Sequence, residues 1–247
     1  MTAILQRTCT MKTIGLLGGM SWESTLEYYR ALNRGVQQAL GGLHSARIVM
    51  HSVDFAPLEK LMQAGRWYEL AQLLGDAAVG LEAAGADFLL ICTNTMHKIA
   101  PEIEARLAIP LVHIADATAG VLVAKKINKA ALLGTSFTME EGFYRQRLTE
   151  RYGLEVLIPD AAARETINRV IFDELCRGIV SERSRDDYCR IIDQMIARGA
   201  EAVILGCTEI GMLLGDRNFE IELVDTTAVH ASRAVALALE GVSPVAE

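Results

Sequence analysis

The stretch Ala202-Val203-Ile204-Leu205-Gly206-Cys207-Thr208-Glu209-Ile210 decides how this chain of 247 residues is read. Its first four residues are an apolar, branched run that predicts a buried strand. Gly206 ends the run, the polar trio Cys207, Thr208 and Glu209 follows, and Ile210, Met212, Leu213 and Leu214 resume as a short helical segment. In an open α/β sheet, chemistry collects where a strand ends in a reactive side chain. Backbone N–H groups at a helix start favour a thiolate, so Cys207 is expected to be a reactive thiol.

The stretch has a twin. Gly85-Ala86-Asp87-Phe88-Leu89-Leu90-Ile91-Cys92-Thr93-Asn94-Thr95-Met96 aligns without a gap on the segment from Gly199 to Ile210, and Thr93 falls on Cys207 at an offset of 114 residues. Cys92 falls one position earlier, where strand alternation turns its side chain to the other face. Two more pairs occur in the same order. Ala130-Ala131-Leu132-Leu133-Gly134-Thr135 echoes Ile14-Gly15-Leu16-Leu17-Gly18-Gly19, and the stretch from Ile221 to Thr227 matches that from Val112 to Thr118. Three matched pieces in one order predict an internal duplication, with a repeat too long for a solenoid.

Apolar strands are expected at 13–17, 46–53, 88–92, 109–114, 130–135, 154–159, 202–206 and 221–225, with helical segments between them, one a long region from Pro57 to about Ala84 with the break-like Gly65 inside it. That alternation predicts parallel βαβ units. The expected fold class is α/β: two similar parallel-sheet α/β domains related by a pseudo-two-fold, with the active site in the cleft between them. Residues 11–113 together with 226–247 form the first domain in this reading, and 114–225 the second. Residues 1–10 are an N-terminal extension ahead of Met11.

Bulk properties exclude several classes. An apolar content of 51% with 6% aromatics suits a core of Ala, Leu, Val and Ile, and a net charge of −7 argues against nucleic acid or an anionic membrane as partner. No apolar run approaches the ~20 residues that span a bilayer. The N-terminus lacks a signal-peptide core. Cys9, Cys92, Cys176, Cys189 and Cys207 are odd in number without CxxC spacing, which fits a reduced, cytoplasmic protein. Five histidines without ligand spacing give no metal site. Gly15, Gly18 and Gly19 do not make a GxGxxG motif and no phosphate-loop lysine follows, so they read as turn glycines or as room for a small ligand.

The duplication has a chemical consequence. Facing strand ends bring Thr93-Asn94-Thr95 against Cys207-Thr208-Glu209. Removing a proton from one face of a carbon and returning one to the other needs a group on each side. Asn94, Thr95, Thr135 and Thr208, with Met20 in the turn after the first strand, are the candidate binders of a small substrate. His97 and Glu209 have supporting roles to choose from: His97 as a core histidine or as the group orienting the Thr93 side, Glu209 as a helix cap or as the group tuning Cys207. Cys92 is expected to be a small buried strand residue. Cys176 and Cys189 lie in helical patterns and are expected to be structural or incidental. Asp54 is a loop cap or a substrate contact. Arg47, Arg66, Arg145 and Arg164 are all candidates to meet an acidic side chain, and the sequence singles out none of them.

Three motifs together, Gly15-Leu16-Leu17-Gly18-Gly19-Met20-Ser21-Trp22-Glu23-Ser24-Thr25, Cys92-Thr93-Asn94-Thr95-Met96-His97 and Gly206-Cys207-Thr208-Glu209-Ile210, resemble the aspartate/glutamate racemase family. The resemblance is closest to its L-aspartate/glutamate-specific, broad-specificity members, and it runs from about Lys12 to near the C-terminus. It implies a cofactor-independent racemase of acidic amino acids, two α/β domains and a homodimer. Two opposed cysteines act there as base and acid at Cα without pyridoxal phosphate. This chain departs from that pattern, because Thr93 stands where the first cysteine belongs. Cys207 is then the base on one face, with Thr93 on the other. Alternatives in the wider superfamily are maleate isomerase, hydantoin racemase or arylmalonate decarboxylase. A binding protein for an acidic metabolite is the alternative outside enzymes.

Overall fold

Strands that are buried on both faces need helices on each side, and the chain supplies them in alternation. The computed structural model describes residues 10–215, 217 and 219–242. Nearly all of the expected extension at 1–10, including Cys9, and the last five residues of the first domain lie outside the described residues.

The first half runs β1 (Ile14–Gly18), α1 (Trp22–Leu40), β2 (Ile48–Ser52), α2 (Phe55–Gln63), α3 (Trp67–Ala83), β3 (Phe88–Ile91), a 3-10 turn at Thr95–Ile99 and α4 (Ala100–Glu104). The second runs α5 (Ile114–Ala124), β4 (Lys129–Gly134), α6 (Ser136–Glu140), α7 (Gly142–Tyr152), β5 (Glu155–Leu157) and α8 (Ala161–Asp173). A 3-10 turn at Leu175–Arg177, α9 (Glu182–Ala197), β6 (Ala202–Gly206), α10 (Thr208–Leu214), β7 (Glu222–Asp225) and α11 (Thr226–Ala238) complete it.

Every strand pair is parallel, in the orders β2-β1-β3 and β5-β4-β6-β7. The strand expected at 109–114 shrinks to one parallel bridge between Leu111 and Leu89. Its reason is local: Pro110 has no N–H for a ladder, and His113 already caps α5. Even so, Leu89 N donates to the Pro110 carbonyl and Val112 N to that of Leu89, both at 2.9 Å. Counting that bridge, the second sheet repeats the strand order of the first. The rungs repeat as well, since Leu17 pairs with Ile91 and Leu133 with Leu205. Thr93 and Cys207 therefore stand two residues past equivalent rungs.

The helical region expected from Pro57 to about Ala84 is two helices, and the break falls at Gly65, which adopts φ of +68°. Strand β3 stops at Ile91, and Cys92 instead donates its N–H to the Leu17 carbonyl at 2.9 Å. The side chain of Cys92 is fully buried with Ile14, Leu16, Tyr28, Leu32 and Ala234. On leaving β7 the chain returns to the first half. Helix α11 packs on α1 and α5, Lys12 N donates to the Ala238 carbonyl at 3.0 Å, and Tyr28 Oη meets His230 Nδ1 at 2.8 Å.

The glycine turn after β1 serves packing. Gly19 has φ of +93°, and a Cβ there would lie 2.3 Å from the Val53 carbonyl oxygen. Its N–H donates to Thr25 Oγ1 at 2.8 Å, which ties the turn to α1. Substituting Gly19→Ala combines a disfavoured φ with a backbone clash, and a loss of about 1–3 kcal/mol is expected from the strained conformation alone. A clear fall in the thermal midpoint of this variant, measured by circular dichroism, checks the assignment.

Candidate active site

The carboxyl ends of β1, β3, β4 and β6 open on one cavity of about 440 Å³, counting the space open to solvent. Thr93, Asn94 and Thr95 line it from the first half, and Thr135, Cys207, Thr208 and Glu209 from the second. Met20 also reaches it. Cys92 does not, because its side chain is in the core on the other side of the strand. Phe55, Met62, Ile171 and Phe172 add apolar wall that no motif in the sequence marks.

Cys207 occupies the N-cap position of α10 with φ −143° and ψ 131°. Its Sγ donates to Glu209 Oε2 at 3.0 Å. Burial raises the thiol well above its ordinary pKa, the Glu209 charge and Cys176 push the same way, and the Glu209 backbone N–H offsets this only in part. Cys207 stands at a helix start as expected, and burial, with Glu209 beside it, works against the thiolate that the helix start favours.

Glu209 is 3% exposed and collects donors from four places. Ser21 Oγ, the N-cap of α1, donates to Oε1 at 2.6 Å, and Thr208 Oγ1 and Cys207 Sγ donate to Oε2. Cys176 Sγ, on the 3-10 turn after α8, lies 4.0 Å from Oε1. Cys176 also lines the cavity, although the sequence marked it only as structural or incidental. Its helical sequence context gave no sign of this, since the turn that aims it inward follows the last turn of α8.

His97 does not face the cavity. Its Nδ1 lies 2.8 Å from the Thr93 carbonyl, which makes that nitrogen the N–H donor, and Nε2 accepts from Ile114 N at 3.2 Å. The ring fixes the Thr93 backbone from behind and couples it to the start of α5. His113 and His230 pack beside it, with ring centroids 4.5 and 5.9 Å from that of His97. Among the described residues no group of three or more His, Cys, Asp or Glu is arranged to hold a metal ion.

Asn94 Nδ2 donates to Thr226 Oγ1 at 3.0 Å, and Thr226 passes its own hydrogen to the Leu205 carbonyl at 2.8 Å. Asn94 Oδ1 is buried without a partner among the described residues, an acceptor left over at the cavity wall. The hydroxyls of Thr95, Thr135 and Thr138 form a triangle with edges of 3.0, 3.1 and 3.4 Å. Asp54 caps α2 through Ala56 N. None of the four candidate arginines lines the cavity. Arg66 pairs with Glu69 and Arg164 with Glu140 on the surface, Arg47 holds the Met11 carbonyl, and Arg145 lies on α7 with its Nε buried.

Residues 17–234 match the family model described as Asp/Glu/Hydantoin racemase. The chain is 27% identical over 171 residues to the broad specificity amino-acid racemase RacX of Bacillus subtilis, covering 68% of this chain and 71% of that protein. Two crystal structures are similar throughout. A candidate Asp/Glu racemase from Yersinia pestis is 53% identical with a TM-score of 0.86, covering 93% of this chain and 100% of that one. An aspartate racemase homologue from Pyrococcus horikoshii is 32% identical with a TM-score of 0.79, covering 92% and 99%.

The histidine cluster predicts a pH dependence. Burial lowers all three pKa values: His97 well below its ordinary range, with His113 and His230 adding to the effect, His113 to about 3 and His230 to about 4. A folded pKa below the unfolded value means that the unfolded chain binds protons the fold refuses. Stability is therefore complete above the unfolded value near 6.5 and is lost as pH falls toward the folded values, on the order of 1 kcal/mol per histidine per pH unit. Denaturant midpoints should drop steeply from pH 7 to pH 5, and ring proton resonances of these three should not titrate above pH 5.

Proposed function

Because the chain belongs to the Asp/Glu/hydantoin racemase family, we propose that it racemises acidic amino acids, glutamate or aspartate, by proton transfer at Cα without a cofactor. One observation carries this reading. Thr93 and Cys207 stand at equivalent positions of the two sheets and line one cavity, while Cys92 is turned into the core. Cys207 takes the Cα proton on one face. Thr93, or a water held by its hydroxyl, returns one on the other. Asn94 Oδ1 is the acceptor for the substrate ammonium group, and the hydroxyls of Thr95 and Thr135 meet the α-carboxylate. His97 keeps Thr93 in place, Met20 closes the cavity beside the substrate, and Thr208 serves through Glu209. The accompanying domain reading joins 11–113 with 226–247, and the packing of α11 on α1 supports it. We take the active form to be a homodimer in the cytoplasm. No helix among the described residues is long and apolar enough to cross a membrane.

A second reading of the substrate rests on an observation of its own. Among the described residues the cavity lining includes neither Lys nor Arg, while Met20, Phe55, Met62, Ile171 and Phe172 supply apolar wall. An unpaired carboxylate is costly to bury there, whereas a neutral side chain is not. A chirally resolved panel of amino acids decides between narrow acidic and broad neutral specificity.

Two mutational outcomes follow. Cys207→Ala should abolish deuterium uptake at Cα in heavy water, and Cys92→Ala should retain most of it. If Cys92→Ala is as damaging as Cys207→Ala, the register of the first tip is wrong.

The two faces should also differ. Racemisation has an equilibrium constant of one, so the natural protein shows the asymmetry in exchange without inversion. The L-isomer should wash in deuterium faster than D product accumulates, and Thr93→Cys should raise exchange from the D side. Equal exchange from both isomers, with no gain from Thr93→Cys, contradicts the one-base scheme.

A further inference from the structure

We propose that Glu209 is the group that receives the Cys207 thiol proton, and that Ser21, from the other half of the chain, orients it, so that the base forms only when the two halves are in contact. This rests on the racemase reading and adds the source of the base. A thiol is not a base until its proton has somewhere to go. Among the described residues Glu209 is the one side-chain hydrogen-bond partner of the Cys207 thiol, at 3.0 Å. The carboxylate is buried, no ion pair is formed with it among the described residues, and its partners Ser21, Thr208, Cys207 and Cys176 are all neutral donors.

The step balances. Cys207 S–H gives its proton to Glu209 Oε2, leaving thiolate and carboxylic acid. The thiolate then takes the Cα proton of the substrate and becomes a thiol again. The Thr93 side delivers a proton to the opposite face, and the proton on Glu209 returns through solvent to the Thr93 side. Ser21 is a positioning residue in this scheme. Its 2.6 Å bond to Oε1 leaves Oε2 toward the sulfur, and it spans 188 residues of sequence, from the first tip of the fold to the second. Other titratable groups facing the pair are Cys176 and, from α9, Tyr188, with Glu174 and Arg169 behind it.

The test is alkylation of Cys207 by iodoacetamide across pH, read by peptide mass spectrometry so that Cys176 is scored separately. If Glu209 were only a negative neighbour, Glu209→Gln would relieve repulsion and speed alkylation. As proton acceptor its loss should slow alkylation about tenfold near pH 7 and reduce Cα deuterium exchange by about 100-fold or more. Ser21→Ala should lower kcat several-fold with KM unchanged, and Ser21→Thr, which keeps the hydroxyl, should restore it. Thermal midpoints of all variants separate these effects from unfolding. Alkylation of Glu209→Gln as fast as wild type at every pH overturns the proposal, and an unaffected Ser21→Ala overturns the part that links the halves. If the wild-type protein exchanges no amino acid, the racemase reading fails, while the alkylation profiles still decide the role of Glu209.

Discussion

Buried hydrogen bonds hold the two strand tips against each other, among them Ser21 to Glu209 at 2.6 Å, Asn94 to Thr226 at 3.0 Å, and Thr95 to Thr135 at 3.0 Å. Each joins a residue of the first half to one of the second or of its return helix. Buried polar groups are costly when unpaired, so each bond makes one arrangement of the halves much better than its neighbours. The cavity exists because of that arrangement. It is walled on both sides by residues that are far apart in sequence.

The electrostatics of the cavity follow from the same contacts. A carboxylate is buried at its edge with no ion pair among the described residues, and burial and that carboxylate push the pKa of the thiol beside it up. The thiol and the carboxylate lie 3.0 Å apart at the wall of a cavity that opens to solvent. On the opposite side the His97 ring, its pKa lowered by burial, holds the Thr93 backbone carbonyl at 2.8 Å. The two faces of the cavity are related by an ancestral repeat in sequence but are not equivalent in chemistry.

Much of this was legible in the sequence. Strand alternation and the gapless match of 85–96 on 199–210 determined the α/β class, the duplication and the pairing of Thr93 with Cys207, since these depend on local periodicity and on spacing along the chain. The burial of Cys92 followed from the same period of two. What tertiary structure alone decided is everything that depends on approach between distant segments. The carbonyl of Val53 makes Gly19 a packing requirement. A 3-10 turn after α8 brings Cys176 to the cavity. Three histidines at positions 97, 113 and 230 form one cluster only because α11 folds back on the first half. Most of all, the sequence suggested a helix start that stabilises a thiolate, and the folded chain places Glu209 against that thiol. A dipole of one short helix is a local property that can be read from residue order. The desolvation and charge that work against it arise from the packed surroundings, which residue order does not contain.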